Sequence, residues 1–255
     1  MITAYHRPKT LDEALALLAK PNILPLGGGT LLSKPTADSV EVVDLQSLGL
    51  DTLKKNGNDL ELGATLTLQA LLESESCPPG MKSALKLEAP LNIRNSATVA
   101  GTLVTCDGRS TFATVLLALD SKLTIIADRE SETRAEPGRS IVTLGDFLPL
   151  RPHGLITSIT LPLNVRLAFE YVSRTPADKP IVCAALAQWN SGRTRLAVGG
   201  CGKSPMLAMD GTEAGGLQEA ARNAFHEATD EWGSTEYRMD VAATLVRRCL
   251  EYFNS

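Results

Sequence analysis

Leu26-Gly27-Gly28-Gly29-Thr30-Leu31-Leu32, directly behind the apolar run Ile23–Leu26, is the stretch on which the reading of this chain turns. Glycines let a backbone approach a ligand closely, and successive N–H groups can then converge on phosphate oxygens. A side chain at Gly28 would fill the space of such a phosphate. Two standard nucleotide motifs fail in this register. A P-loop ends Gly-Lys-Ser/Thr, whereas here the chain runs Ser33-Lys34-Pro35. A dinucleotide fingerprint needs a third glycine where Leu32 stands and a helix at once, which Pro35 disfavours. Two readings stay open: a non-standard phosphate cradle, or a glycine-rich turn between two strands.

A second small-residue segment, Thr98-Val99-Ala100-Gly101-Thr102, lies about 70 residues further on and reads as a loop. Alone, a tight packing turn explains it equally well. Two threonine-bearing loops of small residues, one in each half of a domain, are what a diphosphate pinned between two lobes requires. The backbone supplies donors and the hydroxyls add more. Asp107-Gly108-Arg109 follows closely and is either a solvated turn or a charged neighbour of that site. Catalytic alternatives are thin. No Gly-x-Ser-x-Gly elbow occurs, Ser33 and Ser110 lack His/Asp partners, and His6 and His153 read as surface polar groups.

Working outward, Thr10-Leu11-Asp12-Glu13 fits a capping box for a helix whose face carries Leu11, Ala14, Leu15 and Leu18, ended by Pro21-Asn22. Strands are expected at Ile23–Leu26, Val40–Val43, Leu60–Leu62, Lys122–Ala127 and Leu155–Leu161, and helices at Leu68–Leu72, Met81–Leu87 and, fully buried, Phe112–Leu119. Asp128–Arg139, charged and holding Pro137-Gly138, is a loop by composition. After Pro162 the texture changes. Strands at Leu167–Val172, Ile181–Trp189 and Arg195–Val198 precede helices at about Gly216–Ala228 and Ser234–Tyr252. The boundary between two domains is placed near residue 165.

The 255 residues carry 25 Lys+Arg against 29 Asp+Glu, a net charge of −4, and are 44% hydrophobic. Such a balance supports a globular chain with a substantial core and offers no basic patch for nucleic acid. Pro180–Trp189, the strongest apolar run, is too short to span a bilayer. Met1–Pro8 lacks the apolar core of a signal peptide, and the chain is expected to be soluble and cytoplasmic. Five dispersed cysteines without a Cys-x-x-Cys pair, and three histidines, predict buried free thiols and no metal centre.

Taken together, these segments resemble the FAD-binding (medium) subunits of the molybdenum hydroxylases, the xanthine dehydrogenase and aerobic carbon monoxide dehydrogenase type. The likeness spans nearly the whole chain. Tyr5-His6-Arg7-Pro8 with Leu11-Asp12-Glu13-Ala14-Leu15 is similar to the family's opening. Leu26–Leu32 resembles its first FAD loop, Ile93-Arg94-Asn95-Ser96-Ala97-Thr98-Val99-Ala100-Gly101-Thr102 its second, and Leu116–Asp120 the helix that follows. Ser234–Arg238 and Leu245–Arg248 resemble its last helix. The departures are Ala100 and Thr102 in place of the usual glycine and asparagine, and Thr111 where many members carry a cofactor-touching aspartate, with Asp107 as a substitute. The region of the family's usual lysine reads Glu170-Tyr171, which makes Tyr171 a flavin neighbour.

The resemblance implies an α+β protein: a two-lobed FAD-binding domain like that of vanillyl-alcohol oxidases, over residues 1–165 with lobes of about 1–53 and 54–165. A small C-terminal domain of antiparallel sheet and helices follows over 166–255. It implies FAD bound by Leu26, Gly27, Gly28, Gly29, Thr30, Leu31, Leu32, Thr98, Ala100, Gly101, Thr102, Asp107, Ile156 and Tyr171. The implied partners are a large subunit with a molybdenum cofactor and a small [2Fe–2S] subunit, whose electrons reach FAD and leave to NAD, a quinone or oxygen. Competing readings are a scaffold subunit that has lost FAD, and a self-sufficient flavin oxidoreductase.

Overall fold

The computed structural model describes residues 1–32, 39–126, 138–212 and 215–254. The first lobe holds β1 (Ile2–His6), α1 (Leu11–Leu18), β2 (Ile23–Leu26) and β3 (Val40–Asp44). Its three strands run parallel in the order β1-β3-β2. Parallel strands of one sheet need crossover connections, and α1 provides the one between β1 and β2, which flank β3, burying Ala14 in a cluster with Ile23, Val43 and Leu45. Thr10 caps α1 by accepting the Glu13 N–H at 3.3 Å. The Glu13 carboxylate takes the N–H of Lys9 rather than that of Thr10, so the expected reciprocal bond is displaced by one residue.

The second lobe holds β4 (Leu53–Asn56), β5 (Asp59–Gly63), α2 (Leu68–Glu73), α3 (Pro79–Glu88), α4 (Leu91–Arg94), α5 (Val99–Thr105) and α6 (Thr111–Ala118). It continues through β6 (Lys122–Ile126), β7 (Arg139–Thr143), α7 (Leu144–Leu150) and β8 (Leu155–Pro162). The five strands form an antiparallel sheet in the order β4-β5-β8-β6-β7. The chain then enters an antiparallel meander of β9 (Val165–Val172), β10 (Val182–Trp189), β11 (Thr194–Gly199) and β12 (Met206–Gly211), backed by α8 (Leu217–Asn223) and α9 (Thr235–Asn254). The class is α+β, as expected.

All eight residues of α6 are buried, because α6 is enclosed between α3 and the meander. The two faces of β10 divide by size. Cys183, Ala185 and Ala187 join the large core around α6, while Val182, Ala184 and Leu186 join the cluster under α8 and α9. Side chains alternate along a strand, so small residues on one face let α6 approach closely. That large core also contains Leu60, Leu85, Leu103 and Phe169, and therefore continues across the chain's passage from β8 to β9.

Several expectations require correction. Thr98–Thr102 is not a loop: Thr98 is the N-cap of α5, and Ala100, Gly101 and Thr102 form its first turn. Ile93 and Arg94 belong to the short helix α4. Of the expected loop Asp128–Arg139, Arg139 opens β7, and residues 128–137 lie outside the described residues, as does Ala127 at the end of its strand. Helix α8 stops at Asn223 rather than near Ala228, and β4, β7, α7 and β12 were not foreseen.

Candidate functional site

The two lobes meet at a cleft of about 370 Å³, a usual size for a small-molecule pocket. From the first lobe it is lined by Pro25 and by Gly27 to Leu32, which leave the end of β2. Ala97, Thr98, Gly101, Thr102, Thr105 and Cys106 line it from the second lobe, and Lys179 reaches it from the β9–β10 connection.

The glycines serve lobe-to-lobe contact. A Cβ on Gly28 would stand 1.6 Å from the carbonyl oxygen of Ser96, and one on Gly27 would stand 2.8 Å from Thr98 Oγ1. Gly29 has φ of +71°, a left-handed value that favours glycine. Gly28 is thus required by the backbone of the facing segment, not by the phosphate-sized space that the sequence suggested.

The first turn of α5 spends its donors internally. The N–H groups of Val99 and Ala100 donate to the carbonyls of Leu66 and Ala64, and that of Gly101 donates to Thr98 Oγ1 at 3.2 Å. The Thr102 and Thr105 hydroxyls donate to the carbonyls of Thr98 and Gly101, both at 2.8 Å, leaving their oxygen lone pairs toward solvent or ligand. In the glycine loop, by contrast, the N–H groups of Gly28 and Thr30 meet no protein acceptor among the described residues. Backbone donors without a protein acceptor among the described residues thus lie in the glycine loop, whereas the N–H groups from Val99 to Thr102 are all taken.

Opposite stands a charged group. The Glu88 carboxylate, buried at the end of α3, accepts from Ser110 Oγ and the Phe112 N–H, both at 2.9 Å, and so caps α6. The Lys179 ammonium lies 4.0 Å from Glu88 Oε1 and 3.4 Å from Asp107 Oδ1. Cys106 lies beside them, and burial pushes its thiol up to about 11.

Of the residues proposed from sequence, Gly27, Gly28, Gly29, Thr30, Leu31, Leu32, Thr98, Gly101 and Thr102 come together on the cleft. Leu26 ends β2, Ala100 is a buried residue of α5, and Asp107 pairs with Lys179; none of the three is among the lining residues. Ile156 lies in the core on β8. Tyr171, on β9, stacks on Phe169 with ring centroids 6.0 Å apart and is not among the lining residues. Thr111 is buried, its hydroxyl 2.7 Å from the Ala84 carbonyl. Glu88 and Lys179 were missed. Lys179 stands 72 residues from Asp107 in a turn without a motif, so only the fold brings the two together.

Residues 1–164 match the family model described as the FAD binding domain in molybdopterin dehydrogenase. The chain is 26% identical to the carbon monoxide dehydrogenase medium chain of Afipia carboxidovorans, over 97% of this chain and 95% of that one. It is 25% identical to the nicotine 6-hydroxylase medium subunit of Paenarthrobacter nicotinovorans, over 96% of this chain and 95% of that one. Among solved structures it superposes on the reconstituted CO dehydrogenase from Oligotropha carboxidovorans with a TM-score of 0.80 and 26% identity, covering 97% of this chain and 96% of the other. The chain belongs to the FAD-binding domain family of the molybdopterin dehydrogenases; it is an oxidoreductase subunit, and FAD is its cofactor.

Proposed function

We propose that this subunit is the electron-transfer flavoprotein of a molybdenum hydroxylase assembly, and that its FAD diphosphate lies in the interlobe cleft against Gly27–Thr30. The observation that carries the placement is the donor set of that loop. Gly28 and Thr30 have N–H groups without a protein acceptor among the described residues, on a cleft that also holds the Thr98 and Thr102 hydroxyls and the Lys179 ammonium. Backbone N–H groups and a cation suit a diphosphate. Lys179 also offsets the nearby carboxylates of Glu88 and Asp107, which would otherwise repel an anion.

Bound FAD supplies the redox chemistry, and the protein supplies binding, orientation and electrostatics. In this reading electrons arrive from iron–sulfur clusters of a small [2Fe–2S] partner, having been released at the molybdenum cofactor of a large partner. They leave to NAD, a quinone or oxygen. The relatives named medium chain or medium subunit support the assembly. Residues 1–165 are taken as the FAD-binding unit and 166–255 as the unit that carries Lys179 over its cleft.

Two measurements test this. Titration of the FAD-free full chain with FAD should give saturable one-to-one binding that Gly28→Val abolishes; unchanged affinity in that variant removes the glycine loop from the site. Capture of the chain from its native host should recover a molybdenum-containing and an iron–sulfur subunit. Turnover of an organic substrate by the chain alone would replace the subunit reading with that of a self-sufficient oxidoreductase.

A further inference from the structure

Asp107-Gly108-Arg109, which the sequence leaves as either a solvated turn or a charged neighbour of the site, is built into the molecule. Gly108 exchanges backbone hydrogen bonds with the turn after β11: its N–H donates to the Gly202 carbonyl at 3.0 Å, and its carbonyl accepts the Gly200 N–H at 2.6 Å. A Cβ at Gly108 would stand 1.6 Å from the Cys201 carbonyl oxygen. The adjacent Arg109 crosses to the β9–β10 connection, where its Nη2 donates to the Lys179 carbonyl at 2.5 Å and its Nε to the Pro180 carbonyl at 3.0 Å. The next carbonyl, that of Ile181, accepts from Nη1 of the fully buried Arg238 at 2.8 Å. Three consecutive carbonyls are therefore held by two arginines.

Trp232 joins the two arginines. Its ring lies 4.2 Å from the Arg109 guanidinium and 4.9 Å from that of Arg174. The Trp232 backbone N–H donates to Asp230 Oδ1 at 2.8 Å, the same oxygen that receives Arg238 Nη2. The Asp107 carboxylate closes the ring by accepting the Arg109 N–H at 2.9 Å and facing the Lys179 ammonium at 3.4 Å. A planar fork that bridges two carbonyls and stacks on an indole fixes backbone direction in a way a flexible point charge cannot. Of the three residues whose carbonyls are held, Lys179 alone directs a charge into the cleft.

We infer that Arg109, braced by Trp232, is a positioning residue that sets the Lys179 ammonium against the bound cofactor. The inference rests on the proposed FAD site, and a double-mutant cycle on the full chain separates the two. FAD affinity and the flavin midpoint potential are measured for Lys179→Met, Arg109→Gln, the double variant and Trp232→Phe. Lys179→Met should weaken FAD on the order of tenfold and shift the potential, the loss expected for one charge-assisted contact. Arg109→Gln should produce a comparable loss and a shift of the same sign, yet add little in the Lys179→Met background. Trp232→Phe, which keeps a ring under the guanidinium, should fall between wild type and Arg109→Gln. Additive losses in the double variant would make Arg109 an independent structural residue and overturn the inference. An unaltered affinity and potential in Lys179→Met would overturn it as well, while leaving the glycine-loop site, tested by Gly28→Val, standing. Should Arg109→Gln fail to fold, Arg109→Lys carries the same test, since it retains the charge and loses the fork.

Discussion

Gly28 shows how far a single Cβ reaches in this molecule. The nearest atom to that missing Cβ is the Ser96 carbonyl oxygen at 1.6 Å, so even Gly28→Ala must drive the two lobes' segments apart. We expect a stability loss of about 1–3 kcal/mol by chemical denaturation. FAD affinity should fall by at least about tenfold in a fluorescence titration, because the donors of the loop move with it. Thiol chemistry gives a second prediction at this scale. All five cysteines are free, four of them buried, and burial pushes Cys106 up to about 11 and Cys183 up to about 12. Only Cys201 is partly exposed. Ellman's reagent at pH 8 should therefore modify one thiol quickly in the native protein, and all five in denaturant; rapid loss of Cys106 would contradict the packing beside the cleft. The glycine loop was legible as a special backbone, since three consecutive glycines need a reason, but it was not legible that the Ser96 carbonyl fills the space at Gly28. A sequence does not say whether a ligand or another backbone occupies the space.

At the scale of elements, α5 is the instructive case. Val-Ala-Gly-Thr-Leu-Val-Thr has no apolar periodicity and contains a glycine, so propensity argues against a helix. The helix forms because Thr98 caps it and the Val99 and Ala100 N–H groups find carbonyls on the facing segment. Thr98→Ala should cost about 1 kcal/mol of stability and remove a cleft hydroxyl. Thr98→Ser should restore the cap and most of the affinity, as read by thermal melting and FAD titration; equal losses in both would point to the methyl group instead. Elements with their own signal were readable: the two-faced apolar run of β10, the capped α1, the long α9. The short β4, mostly exposed, and β7 were not, since each is a strand only by virtue of its neighbour. Lys179 escaped for the same kind of reason. Its place in the cleft depends on Arg109, 70 residues away, gripping its carbonyl.

Across the whole molecule, the second lobe and the meander are joined by a continuous core around α6 and by charge at its far end, while the first lobe packs around its own cluster of Ala14, Ile23, Val43 and Leu45. Arg195, almost wholly buried on β11, donates to the Leu117 carbonyl in the last turn of α6 at 3.2 Å and pairs with Asp120 and Asp210. Arg193 grips Asp210 through two bonds of 2.9 and 2.8 Å. These contacts tie α6 to the meander, and both flanking parts should unfold with it in one transition. Hydrogen bonding from Arg193 and the adjacent charge of Arg195 hold Asp210 below the usual carboxylate range despite the opposing effect of burial. Native Asp210 therefore binds its proton less tightly than the unfolded chain does. Its contribution is complete at neutral pH, shrinks as pH falls through the ordinary aspartate value near ~4, and vanishes once the native carboxylate is itself protonated. Urea unfolding followed from pH 7 to pH 3 should show this directly. Asp210→Asn should be less stable at pH 7, because Arg195 is left buried with one carboxylate fewer, and should lose less stability than wild type on acidification. Parallel stability curves for the two proteins would show that the network at the end of α6 does not set their acid response.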